Sequence, residues 1–303
     1  MCVSIESRCD GRQGTEGIEL LGQREPSPAP GPGPTDTESA RTLMLILALD
    51  TTSARGSLAL ARGGRLLDEA TGDPRQTHGQ RLPGELQALL ARHGLTTAAV
   101  DVYAVASGPG SFTGLRVGLA TIQGLALAHD RPVIGISVLD ALVEVAVRRL
   151  SPGEPVPDLI APWMDAKRGE VFGALYEAVP PPVAADDGVA TADAWRVVTG
   201  PVAVPPAVLL ETWAEQLATH RVWLIGDGVA GSPPRLADRL GAGSRIIEDL
   251  PPLAGVMAEM ASTERWRREA VTPHALRPVY VRRPDAELAR DRRRGLADTR
   301  TPS

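Results

Sequence analysis

Residues 46–61 read ILALDTTSARGSLALA, and residues 161–176 read APWMDAKRGEVFGALY. Each opens on an apolar run of strand length, closes on an aspartate, crosses a short polar turn containing glycine and resumes as a second apolar run. A run without alternation suits a strand covered on both faces. The aspartates of Asp50-Thr51-Thr52 and Asp165-Ala166-Lys167 stand at matching places in the two copies. Identity between the copies is low, so the echo lies in pattern and order.

The same order extends outward from each copy. In the first half, Leu43–Leu49, Gly56–Ala61 and Arg65–Ala70 read as strands, the last two joined through Gly63-Gly64, which supplies positive φ for a hairpin. Leu82, Leu86, Leu89 and Leu90 fall at i, i+4, i+7 and i+8, which predicts an amphipathic helix ending near Gly94. Val100–Ala106 predicts a strand, Thr113–His129 a helix and Val133–Ile136 a strand. In the second half, Leu159–Asp165, Glu170–Ala178 and Trp195–Thr199 predict strands, Val208–Thr219 a helix, Arg221–Ile225 a strand and Leu253–Ser262 a helix. The proline- and alanine-rich stretches 179–194 and 200–207 read as surface loops. Three meandering strands followed by alternating helices and strands is the order of an RNase H-like lobe. Two such lobes predict an α/β protein of actin-like architecture.

The expected boundaries are 44–145 for the first lobe and 146–280 for the second. Residues 1–43, with SPAPGPGPTDTES at 27–39, have too little periodic apolar content to offset the entropy of ordering. They are expected to be a disordered leader or a stretch ahead of the true start at Met44. Residues 281–303 carry arginines 282, 283, 290, 292, 293 and 294 and are expected to form a basic, solvated tail.

With 303 residues, 43% of them apolar, the chain can bury a large core. Its net charge of −5 argues against a free-standing nucleic-acid binder. Cys2 and Cys9 provide no disulfide framework, and no apolar run reaches the roughly 18 residues of a membrane span. A soluble, cytoplasmic protein is expected.

Three segments could carry chemistry. The two aspartate turns could hold phosphate and a hydrated metal, or the aspartates and threonines could simply bond their own backbone. GPGSFTGLR (108–116) follows a strand and opens a helix, whose free N–H groups and dipole suit an anion. It is not a P-loop, because Gly108 and Gly114 bracket five residues and no lysine follows. Its glycines could equally serve the turn and close helix packing. The candidate phosphate or nucleotide residues are therefore Asp50, Thr51, Thr52, Gly108, Gly110, Ser111, Thr113 and Asp165, with Gly226, Asp227 and Gly228 beside the last predicted strand. His78, His93, His129, His220 and His274 show no metal-ligand spacing and read as surface or capping residues.

GPGSFTGLRVGLATIQGLA (108–126) resembles the most characteristic stretch of the TsaB family. LALDTTSARGSLAL (47–60), MDAKRGEVFGALY (164–176) and RPVYVRRPDAE (277–287) are similar to three further family motifs. The resemblance covers about 44–287 and implies a part in making threonylcarbamoyladenosine in ANN-decoding tRNAs. It implies a non-catalytic scaffold beside the transferase TsaD and the ATPase TsaE, with tRNA met through the complex and a homodimer as the form without partners. TsaD-like sequences carry a His-x-x-x-His metal pair where this chain has Val138 and Leu142. No catalytic residue, no metal and no cofactor of its own are expected, with ATP or ADP a candidate ligand within the complex. By the resemblance, the first-lobe helices meet TsaD, with Leu82, Leu86, Leu89, Leu115, Leu119 and Ile122 as the expected contact residues. The competing class is an independent enzyme, either an actin-like ATPase or kinase or a peptidase-like hydrolase.

Overall fold

The computed structural model describes residues 44–179, 194–231 and 236–282. The expectations for 1–43, for most of the loop at 179–194 and for 283–303 lie outside these residues.

The duplication is plain in the topology. The first sheet contains β1 (Leu45–Asp50), β2 (Ser57–Arg62), β3 (Arg65–Thr71), β4 (Val102–Gly108) and β5 (Val133–Ser137), in the order β3-β2-β1-β4-β5. The second contains β6 (Leu159–Lys167), β7 (Glu170–Ala178), β8 (Trp195–Val204), β9 (Val222–Ile225) and β10 (Arg245–Ile247), in the order β10-β9-β6-β7-β8. In each, the first three strands form an antiparallel meander and the last two add in parallel beside the first. The architecture is two RNase H-like lobes in the actin-like class.

Among the described residues the helices are α1 (His78–Arg92), α2 (Phe112–His129), α3 (Val138–Val147), α4 (Pro206–Thr212), α5 (Ala214–Thr219), α6 (Leu253–Ala261) and α7 (Glu264–Arg268). Helices α1 and α2 cover the outer face of the first sheet, and α4 and α5 cover that of the second. Between the sheets lie α3 and α6, buried with side chains from both lobes in one shared cluster. Sequence reasoning assigns α3 no element of its own. Its run of valine, leucine and alanine is apolar nearly all round, and a helix of that kind needs cover on every side.

The segment beyond β10 corrects the expected lobe boundary. Residues 253–276 belong by sequence to the second lobe, yet α6 packs on β1, β2, β3 and β4. Further along, Val271 exchanges backbone hydrogen bonds with Val133 at 2.9 and 3.0 Å. Leu276 is buried in the first lobe's outer cluster. Conversely, α3 belongs by sequence to the first lobe, yet it packs on β6, β7 and β9 as well as on β4 and β5. The chain crosses between lobes twice because α3 and α6 find enough apolar cover only between two sheets.

The loop expected at 200–207 is also corrected. Strand β8 continues to Val204 through Gly200 and Pro201, and α4 begins at Pro206. Proline is tolerated there because β8 is an edge strand and owes its outer side no ladder bond. The helix expected at 208–219 breaks in two at Trp213, which is buried. Among the described residues, no helix is long and apolar enough to cross a membrane.

Gly226 has φ +139°, and a Cβ there would lie 1.8 Å from the Trp163 carbonyl oxygen. Both the left-handed backbone and the overlap oppose a side chain, so Gly226→Ala is expected to cost about 3 kcal/mol. Chemical denaturation of the variant checks this.

Candidate functional site: the interlobe cleft

The two aspartate turns are built alike. Asp50 Oδ1 accepts the Thr52 N–H at 2.8 Å, and Asp165 Oδ1 accepts the Lys167 N–H at 2.7 Å. Each carboxylate thus closes its own turn two residues on, the local bonding for which aspartate is favoured there. Thr52 Oγ1 also donates to Asp50 Oδ1 at 2.6 Å. Burial is the larger influence on Asp50 and pushes its carboxyl above the ordinary range, although both Thr52 bonds oppose the shift. At Asp165 burial again acts upward, but the Lys167 ammonium, 2.5 Å from Oδ2, and the Lys167 N–H outweigh it and hold the carboxyl low. Lys167 and Arg168 take φ of +62° and +63° and Gly169 +75°, so three successive residues turn left-handed at the tip. Asp227 Oδ1 accepts the Asp165 N–H at 2.9 Å and ties this turn to the end of β9.

The glycine-rich segment is fitted to the first turn. A Cβ on Gly110 would lie 2.4 Å from Thr52 Cβ, one on Gly114 2.0 Å from the Thr51 carbonyl oxygen and one on Gly118 2.2 Å from Thr51 Oγ1. Hydrogen bonds close the same seam: Ser111 N–H donates to the Thr52 carbonyl at 2.9 Å, and Thr51 Oγ1 donates to the Gly114 carbonyl at 2.8 Å. Ser111 Oγ caps α2 by accepting the Gly114 N–H at 3.2 Å. Gly108 (φ +121°) is covered by Val279, whose N–H donates to the Ser107 carbonyl at 2.7 Å. The next residue, Tyr280, stacks 5.1 Å from Phe112 and accepts from Arg116 Nε at 3.2 Å.

These elements line a cleft of about 920 Å³ between the lobes. Of the candidate residues, Thr52, Gly110, Ser111, Thr113, Asp165 and Asp227 reach it. Asp50 lines a second cavity of about 460 Å³, separated from the first by the turn at Thr52–Arg55. Thr51, Gly108, Gly226 and Gly228 line neither and are corrected to packing positions: Thr51 is spent on α2, and a Cβ on either Gly226 or Gly228 would strike the Trp163 backbone. Sequence reasoning misses Lys167, His78, Tyr280 and Arg282 as cleft residues. His78 reads from the sequence as a surface or capping residue; the structure makes it part of the cleft wall. Arg282 reaches the second lobe, pairing with Glu170 at 2.9 Å.

Val138 and Leu142 line the smaller cavity beside Asp50. They are 1% and 2% exposed, and neither side chain can coordinate a metal. The six leucine and isoleucine positions expected to meet a partner require correction. Leu82, Leu86, Leu89, Leu115, Leu119 and Ile122 are all buried in the first lobe's own core. Their periodicity marks the inward faces of α1 and α2.

The chain is 32% identical over 241 residues to the tRNA threonylcarbamoyladenosine biosynthesis protein TsaB of Haemophilus influenzae, spanning 79% of this chain and 94% of that protein. The chain belongs to the TsaB family. The Escherichia coli K12 member is 30% identical, with 79% and 95% covered. The family model described as TsaD, tRNA N6-adenosine threonylcarbamoyltransferase, matches residues 73–196. Among solved structures, an uncharacterized Pseudomonas aeruginosa protein with similarity to peptidase YeaZ superposes with a TM-score of 0.61 at 30% identity, covering 79% of this chain and all of that one. YeaZ from Pseudomonas aeruginosa gives 0.57 at 28% identity, with 78% and 100% covered.

Because the folded state raises the Asp50 pKa, Asp50 costs stability once ionised. That cost is absent below the unfolded carboxylate range and develops as pH rises through the folded value. Asp50→Asn retains an oxygen for the Thr52 N–H. The stability of wild type minus that of the variant is expected to fall as pH rises above the ordinary carboxylate range in urea denaturation; a constant or rising difference contradicts the assignment.

Proposed function

We propose that this chain acts in tRNA threonylcarbamoyladenosine biosynthesis as a non-catalytic subunit that binds and supports its TsaD transferase, with TsaE as the ATPase of the same assembly. The observation carrying this reading is the pair Val138 and Leu142. These side chains sit one helical turn apart at the inner cavity, where the TsaD resemblance places two histidines, and they are packed as core. Asp50, which lines the same cavity, is turned onto Thr52.

A subunit without its own chemistry acts through a surface. The outer faces of the adjacent helices α1 and α2 present Pro83, Gly84, Ala88, Ala120, Gly124 and Ala128, all exposed and uncharged. A Cβ on Gly84 or Gly124 would meet nothing within 4 Å, so no packing inside the chain requires a glycine there. Each glycine costs its helix about 1 kcal/mol against alanine. Close approach by a partner helix is a use that offsets this cost. The same surface serves TsaD in the complex and a second copy when the partner is absent. ATP or ADP belongs to the assembly as a whole, and tRNA is met through it.

Threonylcarbamoyl transfer to tRNA is measured with cognate TsaD and TsaE, with and without this chain. Loss of transfer on omission is expected; transfer by this chain alone, or undiminished transfer without it, overturns the reading. Ala120→Glu is expected to abolish co-elution with TsaD while altering unfolding stability by less than about 0.5 kcal/mol, as befits an exposed site. Leu119→Glu tests folding instead, since Leu119 is buried.

A further inference from the structure

His78 lies in the first turn of α1, and its ring sits between a carbonyl and a guanidinium. Nε2 is 3.0 Å from the Ser53 carbonyl oxygen, and Nδ1 is 2.7 Å from Arg81 Nη2. A carbonyl can only accept, so Nε2 carries the proton. A guanidinium can only donate, so Nδ1 must offer its lone pair. The neutral Nε2–H tautomer satisfies both contacts, and no other form of the ring does.

Arg81 is held as firmly as the histidine. Its side chain is 5% exposed, pairs with Glu85 at 2.6 Å and donates to the Arg55 carbonyl. Two glycines make room for it. A Cβ on Gly72 would lie 1.4 Å from Arg81 Nη1, and one on Gly56 (φ +60°) would press on both His78 and Arg81. The turn at residues 53–56 is thus clasped to α1 at two carbonyl anchors, Ser53 and Arg55. That turn is the shared wall of the larger and smaller cavities.

We propose that His78 and Arg81 form a proton-sensitive latch: a proton added at Nδ1 sets N–H against N–H, the two cations can no longer stay close enough for both to keep their carbonyl anchors, and the Ser53–Gly56 turn loses one of its two ties to α1 and opens the wall between the cavities. The other charged groups in reach are Glu85 on the same helix and Asp50 at the end of β1, which favour the protonated ring, with Asp73 near Arg81 and Arg55. Burial and then Arg81 outweigh these carboxylates and the Ser53 carbonyl, which also favours the protonated ring, and hold the imidazole below its ordinary value. The latch is therefore whole above the ordinary histidine pKa of about 6.5 and is lost as pH falls through the lowered folded value. It acts whether or not a partner covers α1.

The test is a titration of the full chain by NMR, following the His78 Cε1–H signal and the backbone amides of Ser53, Ala54, Arg55 and Gly56 from about pH 7.5 downward, across the ordinary histidine range. His78 is expected to titrate below the ordinary value, with the four amides shifting at the same midpoint and the methyls of Leu89 and Ile122 unmoved. In His78→Gln, the shared amide transition is expected to vanish. Amides that stay still while His78 titrates, or a His78 midpoint at or above the ordinary value, overturn the latch in the wild-type protein alone. An amide transition persisting in the variant assigns the sensor to Asp50 and also overturns it.

Discussion

The structure depends on a backbone-to-backbone approach that only glycine permits. Where α2 passes the end of β1, Gly114 and Gly118 bring the helix against Thr51, and Gly110 does the same for Thr52. The Ser111 N–H and the Thr51 hydroxyl, which in a phosphate-binding loop would face a ligand, instead close the seam between helix and turn. This contact fixes where α2 starts, the direction in which α1 beside it can run and which side chains of the first lobe remain facing the cleft. A segment rich in glycine reads equally well as a cradle or as a joint, because both uses require the absence of a Cβ. Here the contacts at Gly114 and Gly118 make it a joint, while Gly110, Ser111 and Thr113 also line the cleft.

The second lobe solves the same problem with different residues. Its turn closes through the same aspartate-to-backbone bond, but Lys167 stands where the first lobe has Thr52, and Gly226 approaches Trp163 from the neighbouring strand. Shared topology with altered contacts is what duplication followed by divergence leaves. The first lobe's outer helices expose small, uncharged side chains. The second lobe's outer layer is built from two short helices over Trp163 and Trp213, whose rings lie 6.3 Å apart.

How much is legible in the sequence depends on how local each signal is. The strands, the Gly63-Gly64 hairpin and the paired aspartate turns are written in consecutive residues, and the structure agrees with them. Strand β10 has three residues with only Ile247 buried, too short for any period to show. Leucine spacing in α1 and α2 reveals which face is covered but not what covers it, and the six leucine and isoleucine positions assigned to a partner lie in the protein's own core. His78 carries no signal at all: its role depends on a carbonyl 25 residues earlier and a guanidinium one turn later, both brought to it by tertiary structure. The Val138 and Leu142 substitution is legible only beside a relative, since two apolar residues on an apolar helix are ordinary in themselves.

The two chain crossings impose an order on how the molecule can be made. The inner face of the first sheet has only α3, at β4 and β5, to cover it until α6 emerges, and the edge of β5 lacks Val271 until later still. During synthesis from the N-terminus, the first lobe must therefore wait, partly uncovered, for the whole of the second. An interruption between β6 and α6 leaves much of the first sheet's inner face as an exposed apolar surface for chaperones or proteases to find.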